Sequence, residues 1–145
     1  MENTSVNIMQ SAVTKSGQLK ISCIGVGVGV IIHSRTKKMG AGIHVLAPYS
    51  TTPTPDNPAK FANTAIPHAI ELLMKEGATP PLSVAIAGGA SMEGSTAGSS
   101  MGEKVVAAVK EAINKTDLYL IADETGGSKI RSMLLDLKTG QIQIG

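Results

Sequence analysis

Aromatic residues are almost missing from this chain, which has no Trp, one Phe and two Tyr among 145 residues. Platforms for stacking bases or sugars are therefore scarce, and the core must be built from Val, Ile, Leu, Ala and Met. Cysteine is equally short. Cys23 stands alone, so no internal disulfide can form and a reducing, cytoplasmic location is expected. The first twenty residues lack a basic-then-apolar leader pattern. No apolar run approaches the roughly 20 residues of a membrane span, so membrane insertion is not expected. Charge of either sign is thin, with 13 Lys and Arg against 11 Asp and Glu. The densest basic run, Arg35-Thr-Lys-Lys38, reads as a solvated turn rather than a nucleic-acid patch, and no nucleic-acid partner is expected. Three scattered histidines with no acid at ligand spacing argue against a metal site, and no cofactor is expected. What remains, 42% hydrophobic and 17% charged, suits a single domain over residues 1–145 whose core needs no staples.

Glycine, by contrast, is placed with a pattern. From Leu19 to His33 the chain reads as one long strand. Ile24, Val26, Val28, Val30 and Ile32 lie on one face, and Cys23, Gly25, Gly27, Gly29 and Ile31 lie on the other. A glycine face marks close approach of another backbone, a bulge or a ligand. A turn at Ser34 to Met39 returns the chain into a second strand, Gly40 to Pro48, that carries His44. Four of the seven prolines fall between Pro48 and Pro58, which predicts an irregular surface loop. Asn63 or Thr64 can cap a helix that ends at Gly77 and holds Pro67 in its first turn. A buried strand, Leu82 to Ala87, runs into Gly88-Gly-Ala-Ser-Met92, with no Gly-Lys-Ser/Thr to make a nucleotide loop. A second helix is predicted over Glu103 to Asn114. Strands follow at Leu118 to Ala122, Ile130 to Leu137 and Gln141 to Ile144, with a polar turn, Asp123 to Gly127, between the first two. Strands outnumber helices and the last hairpin is antiparallel, which gives an α+β class with mixed sheets.

Several segments resemble the chemoreceptor glutamine deamidase family, CheD. They are Met39-Gly-Ala-Gly-Ile-His-Val-Leu-Ala-Pro48, Lys60-Phe-Ala-Asn-Thr-Ala-Ile66, Ile86-Ala-Gly-Gly-Ala-Ser-Met92, Met101-Gly-Glu-Lys-Val-Val106 and Ala122-Asp-Glu-Thr-Gly-Gly127, in the family's order. The resemblance implies packed mixed β-sheets, sandwich-like and flanked by helices, in a cysteine-hydrolase-like deamidase fold. It also implies a hydrolase that converts glutamine to glutamate on methyl-accepting chemoreceptor helices, with a CheC-like phosphatase as partner. In the family the nucleophile lies in a Gly-Ser-Cys step, with a histidine base on the neighbouring strand and a threonine six residues before the cysteine. Aligned without gaps, that step falls on Gly25-Val26-Gly27, the threonine falls on Ile21, and His44 matches. The retained base position then faces two degenerate positions, Gly27 and Ile21. A four-residue shift would instead make Cys23 the nucleophile, with Gly17 at the threonine position.

Two readings stay open at this point. One is a degenerate chemotaxis protein of the family that binds receptor helices or a CheC-like partner. The other is an active deamidase using Cys23 and His44. The resemblance also places a partner-docking surface on the second helix, at Met101, Val105, Val106 and Val109. Plainer expectations stand beside these. His44 can be a core histidine, Cys23 a small buried side chain, the valine stripe part of the core, and the bare glycine face the floor of a small-molecule site.

Overall fold

The computed structural model describes residues 3–91 and 100–145. Its strands are β1 (Asn3–Val6), β2 (Ser11–Thr14), β3 (Gln18–Ile24), β4 (Val28–Ser34), β5 (Met39–Val45), β6 (Ser83–Gly88), β7 (Tyr119–Thr125), β8 (Arg131–Asp136) and β9 (Gln141–Ile144). The helices are α1 (Ala62–Lys75) and α2 (Met101–Asn114), and a short 3-10 turn covers Pro58–Lys60. The strands form two mixed sheets. One has four strands in the order β1-β3-β8-β9, and the other has five in the order β2-β5-β4-β6-β7. Pairing is antiparallel except for β1 with β3 and β6 with β7. The expected α+β class, with packed mixed sheets flanked by helices, is what the structure has.

The five-stranded sheet is the middle layer, and its two central strands are buried along their whole length. Val28, Val30 and Ile32 of β4 and Ala41, Ile43 and Val45 of β5 pack with Ile66 and Leu73 of α1 and with Val105 and Val109 of α2. On the opposite face, Ile31 and Ala85 pack with Leu19, Ile21, Ile24, Met133 and Leu135 of the four-stranded sheet. Each such side chain, removed from water, contributes about 1.5–3 kcal/mol. Two-sided burial also explains why these strands read as near-continuous apolar runs.

The long strand expected from Leu19 to His33 is in fact two strands in different sheets. The ladder between β3 and β8 is irregular between Ile21 and Ile24, and Cys23 adopts a left-handed backbone with φ 57°. Gly25 to Gly27 then carries the chain across to the other sheet. The buried positions shift from Leu19 and Ile21 to Ile24 across the exposed pair Ser22 and Cys23, so the alternation changes phase at the bulge, a sign that a reading of one continuous strand passes over. Gly29 of the glycine face and Gly42 of β5 are covered by the opposing sheet, while Gly25 has nothing within 4 Å of an added β-carbon. A β-carbon at Gly42 would stand 2.9 Å from Val6 Cγ2, and one at Gly29 would stand 2.6 Å from Ile24 Cδ1 and 2.9 Å from Met133 Sδ. These two glycines give room to the side chains of the opposing sheet.

Helix α1 starts earlier than expected. Phe61 is its N-cap without a side-chain hydrogen bond, and Pro67 therefore lies inside the helix rather than in its first turn. The Thr64 hydroxyl donates back to the Pro58 and Phe61 carbonyls, while the Asn63 side chain accepts from the Ser50 amide. Helix α2 is capped by Ser100, whose Oγ accepts from the Glu103 amide. Strand β7 runs on through Thr125, so the expected turn at Asp123 is half strand. The stretch 92–99, which includes Met92 of the motif noted above, lies outside the described residues.

Candidate active site

His44 sits on β5 opposite Gly29 of β4, on the face turned toward the four-stranded sheet. Its backbone is held from the other side, where Met9 N donates to its carbonyl at 2.9 Å and its own amide donates to Gln10 O at 3.2 Å. The residue is only 3% exposed, and its Nδ1 is buried without a hydrogen-bond partner. Burial pushes its pKa below the usual 6.5. The ring is thus a buried imidazole whose protonation is disfavoured and whose Nδ1 is unclaimed.

Gly27 is the residue against that ring. A β-carbon built on it would stand 3.4 Å from both Cδ2 and Nε2 of His44 and 2.5 Å from the Val45 carbonyl oxygen. The position is set by backbone hydrogen bonds that sew three glycine loops together. Gly89 N donates to Gly27 O at 2.8 Å, Ala90 N to Gly25 O at 2.9 Å, Gly126 N to Gly88 O at 2.9 Å and Ser91 N to Gly127 O at 2.8 Å. The Gly-Gly-Ala-Ser segment after β6 therefore clamps the bend between β3 and β4, a role its spacing did not disclose. A signal was nevertheless present, because a paired glycine after a buried strand with no phosphate-loop continuation leaves close backbone approach as its use.

Ile21 is fully buried between the sheets, with its Cδ1 3.5 Å from where a β-carbon of Gly42 would lie, two residues from His44 on the same face of β5. It offers that face only hydrocarbon. Cys23 is exposed, which corrects the expectation of a small buried side chain. The left-handed bulge turns it outward, and no hydrogen bond joins its thiol to the His44 ring among the described residues. Of the residues expected on a docking surface, Val105 and Val109 are fully buried in the helix-facing core, because helical periodicity sets both on the inner side of α2. Met101 is 51% exposed and Val106 half-buried. Val106 lines a cleft of about 270 Å³ with Gly89, Glu103, Lys110 and Gly126, beside the sewn glycine loops. A larger groove of about 700 Å³ between α1 and α2, lined by Pro67, Ile70, Met74 and Glu111, shares no residue with the His44 site. No cluster of three metal-ligating side chains occurs among the described residues, and none of their helices is long and apolar enough to cross a membrane.

His33, also buried, has its pKa lowered by burial and then by the Arg35 charge. Both histidines are thus neutral in the folded protein at a pH where the unfolded chain would begin to protonate them. Stability should be complete above about pH 6.5 and fall as pH drops through the folded pKa values, at up to about 1.4 kcal/mol per pH unit per histidine. Urea unfolding midpoints between pH 7.5 and 5 should show the decline, and His33→Gln with His44→Gln should flatten it. An unchanged slope in the double variant would assign the decline to other groups.

Fold and site together define a two-sheet α+β domain of the cysteine-hydrolase-like deamidase type, with a buried strand histidine against Gly27. The sequence profile described as "CheD chemotactic sensory transduction" matches residues 46–145. A Methanococcus vannielii protein named "Probable chemoreceptor glutamine deamidase CheD" is 37% identical over 123 residues, covering 83% of this chain and 80% of its own. Proteins of the same name from Caldanaerobacter subterraneus and Clostridium botulinum are 33% and 34% identical and cover 96% and 99% of this chain and 90% and 94% of their own. The chain belongs to the CheD family.

Proposed function

We propose that this CheD-family chemotaxis protein has lost glutamine deamidase chemistry and acts by binding, occupying chemoreceptor helices or a CheC-like partner without altering glutamine. The observation that carries the reading is the bare α-carbon of Gly27 against the ring of His44, where a β-carbon would lie 3.4 Å from Nε2. An amide is a poor electrophile. Its hydrolysis through a thiolate needs a sulfur beside the imidazole and a third group to hold the ring. Here the nearest equivalents are a hydrogen atom at Gly27 and the hydrocarbon of Ile21, and the Nδ1 that a third group would claim is unpartnered. Removal of a hydrolase nucleophile costs about a millionfold in turnover. Water activated by His44 alone forfeits the covalent route.

The partner class follows from the relatives' name, chemoreceptor glutamine deamidase. Met101 and the Val106 cleft supply an outward apolar edge beside the glycine loops, where such a partner would lie over the degenerate site. Mass spectrometry of a receptor fragment incubated with the protein should show no conversion of amide to acid, while pull-down of the same fragment should weaken with Met101→Glu. Conversion that disappears in Cys23→Ala would overturn the reading in favour of a deamidase using Cys23 and His44.

A further inference from the structure

The basic run at the β4–β5 turn acquires company in three dimensions. Arg35 and Lys38 face the β8–β9 turn, and together with His33, Lys138, Thr139 and Gly140 they line a cleft of about 170 Å³. Arg35, Lys38 and Lys138 bring only donors to it, and none of the three is ion-paired among the described residues, although five other salt bridges are present. The nearest acid in sequence, Asp136, is engaged with its own turn, its Oδ1 accepting from the Lys138 amide at 2.9 Å. The Thr139 hydroxyl accepts from the Gln141 amide and keeps its own hydrogen to donate. Gly140 leaves the floor open. A β-carbon there would be 3.5 Å from His33 Cε1 and 3.6 Å from Arg35 Nε. The His33 ring, 4% exposed, has no hydrogen bond among the described residues.

Three cations without a salt-bridge partner among the described residues repel one another around one small concavity, and a dianion of tetrahedral shape relieves that repulsion while matching the Arg35 fork. The cleft adjoins a second hollow of about 470 Å³, which shares His33, Arg35 and Gly140 and is otherwise lined by Pro81, Leu82, Ser83, Tyr119 and Ile121. Tyr119 and Ile121 are 64% and 55% exposed, a large apolar surface to leave in water. We propose that the two hollows form one binding site for a phosphate monoester with an apolar or aromatic body. The phosphoryl group is held by Arg35, Lys38 and Lys138, and the body lies against Tyr119 and Ile121. The site is on the far side of β4 from the glycine loops in chain order, at the His33 end rather than the Val28 end, and it does not rest on the reading of His44.

Titration of the whole protein with phenyl phosphate at constant ionic strength, followed by NMR, tests this. Saturable one-to-one binding is expected, with shifts in the Gly140 amide, the His33 ring and Tyr119. Arg35→Gln and Lys138→Gln should each weaken it by about tenfold, and Lys104→Gln, on the exposed side of α2, should leave it unchanged. Inorganic phosphate should bind the same residues more weakly, and so should benzoate, which lacks the second charge. No saturation, an affinity indifferent to Arg35→Gln and Lys138→Gln, or benzoate binding as tightly as phenyl phosphate would overturn the assignment.

Discussion

If the proposed loss of chemistry holds, Gly27→Cys combined with Ile21→Thr is expected to give a protein that converts receptor glutamines where the parent chain does not. The geometry sets both the gain and its limit. A side chain at position 27 starts 3.4 Å from His44 Nε2, so a sulfur one bond further out can hydrogen-bond to the ring. Threonine at position 21 puts a hydroxyl in place of hydrocarbon on the buried face of β3 that packs toward Gly42, two residues from His44 on β5. The same β-carbon would lie 2.5 Å from the Val45 carbonyl oxygen, however, so the bend must yield by several tenths of an ångström. We expect a stability loss of about 1–3 kcal/mol from that crowding. In a Cys23→Ala background, alkylation at position 27 should depend on His44, and conversion of glutamine in a receptor fragment should rise from nothing detectable, within a ceiling of about a millionfold. If position 27 is alkylated independently of His44 and no glutamine is converted, the degenerate positions have been misassigned.

Gly88→Ala should be among the most damaging single substitutions in the chain. Gly88 has φ 112°, a backbone that L side chains rarely adopt, and a β-carbon there would overlap both the Gly27 carbonyl oxygen and Ile24 Cγ2. One obstacle is backbone and the other a fully buried isoleucine, so neither can swing aside. Conformational strain and overpacking together should cost more than about 3 kcal/mol, a large part of the stability of a domain this size. Gly126→Ala is the matched comparison. Its φ is 92°, but nothing lies within 4 Å of the added carbon, so it should lose only about 1–2 kcal/mol. Urea denaturation of the two variants separates crowding from backbone strain, and equal losses would show that the clamp between Gly88 and the bend is not tight.

The pH decline expected from His33 and His44 and the damage expected from Gly88→Ala have a common source, the burial of the middle sheet on both faces. That burial was visible in the chain as runs of Val, Ile and Ala without polar interruption at β4 and β6. The two helices were legible for a related reason. Their apolar residues recur at helical spacing, which placed α2 from Glu103, two residues inside its start at Met101.

Residue order alone determined the class of fold, both helices and the later strands to within a few positions, and the family motifs. Only the tertiary structure decided that the long glycine strand is two strands in different sheets, that Cys23 faces water, that Val105 and Val109 face the core, and that Arg35 and Lys138 line one cleft. Period-two alternation is a local property, and its change of phase between Ile21 and Ile24 marks a bulge without saying which sheet each half joins. Which sheet a half-strand joins depends on partners about a hundred residues away, such as β8 for β3, and no local pattern contains that choice.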